Sequence, residues 1–235
     1  MVRQRTDVRQ SPRLRMMTTE SGVRQHIGEA VANSVTHGLG LVASLIALPI
    51  VVQASLARGD TAQIVGAVVF GLSLVVLYGA STVYHSFAHS RAHRVLRLID
   101  HSAIYLLIAG SYTPFALGPL RGRLGTALLI SVWSMAILGI ALKSFRGMGK
   151  GWLSTALYIG MGWISIVAIR PLITNVGAAG VWWLVAGGLC YTGGVVFYAT
   201  DKKLRYGHAV WHLFVLAGST CHFFAVLWHS APRPT

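Results

Sequence analysis

Two histidines four residues apart, His208 and His212, open the last long apolar run of the sequence. On a helix that spacing puts both imidazoles on one face, about 6 Å apart along the axis, where they can share one metal ion. A third histidine, His85, closes the second apolar run one turn after Ser81, and Asp100 opens the third. Three neutral imidazoles with one coordination position left open make a zinc site of the catalytic kind. Such a metal polarises a carbonyl and lowers the pKa of bound water toward roughly 7. Asp100 could hold or deprotonate that water, and Ser81 could donate to a developing oxyanion or support a ligand. The competing reading is plain: His208 and His212 are interfacial histidines, and His85 bonds a backbone carbonyl.

What would bring these residues together is a bilayer. Of the 235 residues, 54% are hydrophobic and only 11% charged, too few to clothe a water-soluble surface. Seven runs approach the roughly 20 apolar residues needed to span a membrane. They are Ala30 to Leu56, Ala62 to His89, Ile99 to Leu117, Leu124 to Leu142, Trp152 to Ile169, Ala178 to Ala199 and His208 to His229. Pro49 and Pro114 fall inside runs and should kink them. The many glycines allow close helix contact. The expected fold is an all-α integral membrane bundle of seven helices joined by short loops. It has a basic tail over residues 1–28, the membrane domain over 29–230 and a short outer tail over 231–235.

Charge orients the bundle. The formal net charge is +14. Six arginines lie in the amino-terminal tail, and three Lys or Arg lie in each of the second, fourth and sixth loops, against five on the other side. The positive-inside rule then puts the amino terminus in the cytoplasm and the carboxyl terminus outside. The basic residues alternate with apolar runs, which points to anionic headgroups rather than nucleic acid. With no cleavable leader in its usual compact form, the first hydrophobic helix is expected to act as the insertion signal. In this topology the second helix ends, and the third and seventh begin, at the cytoplasmic face. His85, Asp100, His208 and His212 therefore share one leaflet, and Asp100 is the one acid that the chain order sets near the histidines.

Other polar residues have weaker claims. Glu29, Asn33 and His37 recur every four residues on one face of the first helix. They either line the same cavity and support the metal site, or form a hydrogen-bonded packing ladder, and the ladder is the expectation. His89, His93 and His101 read as solvated interfacial groups, with His101 an alternative supporting residue beside Asp100. His26 and His229 flank the spans as interfacial groups. His222 lies about 15 Å or more beyond the His208–His212 pair, too deep for the same ion, and should bond a neighbouring helix. Cys190 and Cys221 are expected as small buried hydrophobes. Gly147 to Gly151 lacks the order of a phosphate loop and reads as a flexible connector.

At these residues the chain resembles the hemolysin III family, the bacterial branch of the superfamily of progestin and adipoQ receptors, with alkaline ceramidases more distantly related. The matching segments are EAVANSVTHGLG from Glu29, STVYH from Ser81, DHSAIYLLIAGSYTP from Asp100 and HAVWHLFVLAGSTCH from His208. The resemblance implies seven helices with a cytoplasmic amino terminus. It also implies zinc on His85, His208 and His212, with Asp100 and Ser81 as the accompanying aspartate and serine. The leading expectation is a zinc-dependent hydrolase of a lipid amide or ester in the bacterial inner membrane, with membrane lipids as its partners. The alternatives are a pore-forming or cytolytic protein, and a receptor or regulator of membrane composition with structural zinc.

Overall fold

The computed structural model describes residues 12–58, 61–87, 90–146, 152–201 and 203–231, and of residues 12–26, 58, 146 and 152 only the backbone. The expectations for the first eleven residues of the basic tail, the glycine-rich connector, the His26 side chain, His89 and residues 232–235 lie outside what is described, and residues 12–28, expected as tail, are helical.

The described chain is all helical. In order it forms α1 (Pro12–Arg58), α2 (Thr61–Ser86), α3 (His93–Leu117), α4 (Arg123–Arg146), α5 (Trp152–Trp163), a 3₁₀ turn (Ile164–Ala168), α6 (Ile169–Asn175), α7 (Ala178–Thr200) and α8 (Gly207–His229). Among the described residues six stretches are long and apolar enough to cross a membrane, the fourth of them running through α5, the 3₁₀ turn and α6. The 25-residue α3 has the length but a more mixed composition, because Asp100, His101, Ser111 and Thr113 interrupt its apolar residues. The apolar side chains turned outward, among them Leu39, Ile46, Ile137 and Val196, give the bundle the exterior of a lipid-solvated protein. The chain is thus a multi-pass helical membrane protein.

The core is built around α2. Phe70, Leu74, Leu77 and Tyr78 are each at most 3% exposed, and α2 packs along its length against α1 on one side and α3 on the other. Glycine allows that closeness: a Cβ on Gly66 would come within 2.7 Å of the Pro114 Cα on α3, so the two backbones nearly touch there. Pro49 and Pro114 both lie within helices. The α7–α8 pair packs as closely as α1–α2, whereas α5 meets α3, α4 and α7 at only a few places.

The fifth membrane run departs from the uniform helix expected of it. At Ile164 it tightens to 3₁₀, and the Tyr112 hydroxyl on α3 fills the break. That hydroxyl donates toward the Met161 and Gly162 carbonyls at 2.8 and 2.7 Å and accepts from the Ser165 N–H at 3.2 Å. With no water in hydrocarbon to bond the freed backbone groups, a side chain must do so. Between α7 and α8 the chain turns sharply through Tyr206, the one non-glycine residue with positive φ (58°) among the described residues. This turn folds Asp201 back onto the first turn of α8.

Candidate metal centre

Each helix end contributes what its register dictates. His85 occupies the last turn of α2, and His208 and His212 occupy the first two turns of α8. One ligand atom from each of the three lies within 4.8 Å of the others. Their ring centroids form a nearly equilateral triangle, with sides of 5.1, 5.1 and 4.7 Å. His85 and His208 are half-buried and His212 is fully buried. A tetrahedral zinc holds imidazole nitrogens at about 2.0–2.1 Å and so about 3.4 Å from one another, a spacing within reach of small ring rotations.

The hydrogen bonds around the cluster set which nitrogen each ring offers. Nδ1 of His212 lies 3.1 Å from the Thr36 hydroxyl. The single proton of that hydroxyl is directed at the Ala32 and Asn33 carbonyls. Thr36 must therefore accept, His212 must donate from Nδ1, and Nε2 keeps its lone pair. Likewise Nδ1 of His208 donates to Asp201 Oδ2 at 3.0 Å, which leaves His208 Nε2 as the acceptor. A carboxylate behind a ligating imidazole fixes its tautomer and raises its basicity. Three neutral imidazoles, with Nε2 the acceptor nitrogen on His208 and His212, make a donor set that fits zinc.

Asp100 stands beside this triangle. It is 6% exposed, its Oδ2 lies 3.2 Å from His101 Nδ1, and Ser81, itself 1% exposed, bonds it. Its carboxylate falls outside the set of atoms close enough to share one ion, a place suited to a proton acceptor across one water rather than to a fourth ligand. Next to Asp100 opens a cavity of ≈ 200 Å³, lined mostly by apolar side chains, including Leu107, Phe115, Leu172 and Val215, with His37 and Asp100 at its polar end. Along α3 it extends from Asp100 to Ala116, about 24 Å at 1.5 Å per residue.

The structure thus brings His85, His208, His212, Asp100 and Ser81 together, and it corrects several expectations. Asp100 is not the only acid near the histidines: Asp201 touches His208 directly. The sequence held a signal for this in an acid seven residues before His208, but the turn that folds it back depends on the backbone at Tyr206. His101 is not solvated; it is 6% exposed and sits against Asp100. His93 packs its ring on Tyr84, 4.9 Å between centroids. The expected ladder on α1 is not formed. Asn33 and His37 are buried, yet Asn33 Oδ1 and both His37 ring nitrogens have no hydrogen-bond partner among the described residues. His37 instead stacks on His212, 3.4 Å between centroids and 15° between planes. Glu29 is half-buried one turn before Asn33. His222 behaves as expected and donates from Nε2 to the Leu184 carbonyl of α7 at 3.4 Å. Cys190 and Cys221 are free and only partly buried, facing outward more than expected.

The family described as Haemolysin-III related matches residues 25–223. The chain is 45% identical over 208 residues to the hemolysin-3 homolog of Bacillus subtilis (strain 168), covering 88% of this chain and 97% of that protein. It is 45% identical over 210 residues to hemolysin-3 of Bacillus cereus, covering 88% and 94%. At greater distance it is 27% identical over 214 residues to the human monocyte to macrophage differentiation factor, covering 88% and 87%.

Proposed function

Because the chain belongs to the haemolysin III-related family and gathers three imidazoles beside a buried carboxylate, we propose that it is a zinc-dependent hydrolase of a lipid amide or ester. It would act in the inner leaflet of the bacterial plasma membrane. In this reading α3 is a membrane span and α5 and α6 together form one, which makes seven. The amino terminus is cytoplasmic and the carboxyl terminus outside, as the loop charges direct. The 27% identity to the human relative is consistent with the wider receptor superfamily suggested by the sequence motifs.

The observation that carries the reading is the buried Asp100 carboxylate, which lines a long, mostly apolar cavity and stands beside the triangle of His85, His208 and His212. His85, His208 and His212 would hold the zinc, which when bound would supply Lewis acidity toward a carbonyl and acidify water enough to lose a proton near neutrality. The cavity takes an acyl chain and so orients the scissile carbonyl toward the histidines. Asp100 accepts the proton at a carboxylate oxygen and returns it to the leaving amine or alcohol. His101 and Ser81 hold that carboxylate in place. Asp201 and Thr36 hold His208 and His212 in the tautomers that present Nε2.

The names of the bacterial relatives point instead to cytolysis. Among the described residues Asp100 is the one side chain of fixed charge lining the mostly apolar cavity, so no ring of charge marks an ion path, and this favours hydrolysis. The deciding experiment pairs zinc analysis with lipid turnover on purified, metal-replete protein. Wild type should carry close to one zinc and release fatty acid from an acyl amide or ester, and Asp100→Asn should keep the zinc and lose the release. Undiminished hydrolysis by Asp100→Asn removes the mechanism, and absence of zinc from wild type removes the site.

A further inference from the structure

The imidazole of His37 has no work assigned to it by the metal site. It is 2% exposed, it lies outside the ligand set, and neither ring nitrogen has a hydrogen-bond partner among the described residues. One turn earlier, Asn33 Oδ1 is buried in the same condition. Leaving such groups dry inside a bilayer is costly, because no solvent is present to relieve them. Packing fixes the ring: its face stacks on His212 and its edge meets Tyr78 at 5.0 Å and 90°. The ring lines the polar end of the cavity together with Asp100, and Asp100, His85 and His208 are all near enough to act on it electrostatically. It is therefore held rigidly, beside the reacting end, with its hydrogen-bonding capacity unspent.

Building on the hydrolase reading, we propose that His37 is the headgroup-recognition residue of the site and selects an uncharged, hydroxyl-bearing lipid headgroup. A neutral imidazole offers one donor and one acceptor, and a hydroxyl can answer either of them. With zinc bound, its two positive charges would be balanced by the Asp100 and Asp201 carboxylates, so these groups offer no net charge to draw a phosphate or carboxylate headgroup. The apolar wall beyond accepts the acyl chain and carries no information about the head. Selection by a hydroxyl is the efficient kind, since a lipid lacking it leaves the buried nitrogens unsatisfied.

The test compares two probes of equal chain length, N-dodecanoyl-2-aminoethanol and N-dodecanoyl-ethylamine, which differ by one hydroxyl. Binding is measured at equilibrium on zinc-loaded protein in detergent, in an Asp100→Asn background so that neither probe is consumed. The hydroxylated amide should bind roughly tenfold tighter than its deoxy partner. His37→Phe, which keeps the ring packing, should reduce that preference to less than about twofold, with zinc content unchanged. His37→Gln should retain part of it. Persistence of the preference in His37→Phe overturns the proposal, because the nitrogens then bond ordered water only. Equal binding of the two probes by the His37 protein, or of neither, also overturns it. Loss of zinc from both His37 variants overturns it in favour of a supporting role in the metal centre. A His37-dependent preference without hydrolysis by wild type keeps the subsite and removes the hydrolase. Hydrolysis without that preference does the reverse.

Discussion

Asp201 gives the sharpest test of how the metal centre is held together. Its Oδ2 accepts from His208 Nδ1 at 3.0 Å, with the carboxylate side chain 9% and the imidazole 17% exposed. In that sheltered position the charge on the carboxylate is little screened, and it both fixes the tautomer and makes Nε2 a better donor to a metal. Losing such a partner costs about ten- to a hundredfold in metal affinity, or about 1.4–2.8 kcal/mol. Asp201→Ala should therefore weaken zinc binding by that amount, read by competition against a chelator of known affinity. Asp201→Asn keeps an oxygen that can accept from Nδ1 but removes the charge, and should fall between Asp201→Ala and wild type. Thr36→Val removes the neutral partner of His212, a bond worth about 1 kcal/mol or roughly fivefold. The expected order of damage is Asp201→Ala, then Thr36→Val, then wild type. An Asp201→Ala protein within about twofold of wild type, folded as judged by its metal-free melting, would refute the assigned tautomers, and so would a Thr36→Val protein weaker than Asp201→Ala.

Three further outcomes follow from the geometry. Cobalt substituted for zinc should give the visible spectrum of a four-coordinate ion in wild type and lose it in both His85→Ala and His212→Ala; a spectrum kept by either variant would place the ion elsewhere. Tyr112→Phe strips the only hydroxyl seen to bond Ser165 N–H and the Met161 and Gly162 carbonyls, and should cost about 1–3 kcal/mol, seen as a lower melting temperature in detergent. Gly66→Ala would drive a methyl against the Pro114 backbone at 2.7 Å and cost about 1–3 kcal/mol. Gly160→Ala, with nothing within 4 Å of the added carbon, should melt as wild type does.

How much of this was legible in the sequence depends on the range of the interaction. The helices were readable because hydrophobic length is a local property, and their observed ends differ from the expected ones by a few residues in most cases. The His208–His212 pair was readable because a helix fixes its own i, i+4 geometry. Their meeting with His85 and Asp100 was readable at one remove, since alternation across a bilayer leaves few choices of leaflet. What escaped was set by turns and by side-chain competition. The carboxylate of Asp201 reaches His208 only because Tyr206 adopts a left-handed backbone. The polar groups of α1 suggested mutual bonding by their period of four, but Thr36, off that period, took the His212 bond, and His37 was left to stack. The break at Ile164 carried no proline to announce it, because the residue that satisfies it, Tyr112, lies about fifty positions away in the chain.

The distribution of packing also bears on function. The residues of the candidate site stand on α1, α2, α3 and α8, and α1 and α2, α2 and α3, and α1 and α8 are in direct contact. The cavity wall opposite them includes Thr155, Ile159, Ser165 and Ile169, drawn from α5, the 3₁₀ turn and α6, which touch their neighbours sparingly. Catalytic groups must be held to within a fraction of an ångström, because small displacements of a nucleophile or base are expensive. An acyl-chain wall has no such demand, and a weakly packed, broken helix can yield to chains of different length at low cost. A site arranged this way should discriminate strongly at the headgroup and weakly along the chain. Turnover should therefore change little across acyl amides of increasing length while remaining sensitive to a single polar atom beside the carbonyl. A steep optimum in chain length, measured on a series with one headgroup, would show that the α5–α6 wall is as rigid as the metal end.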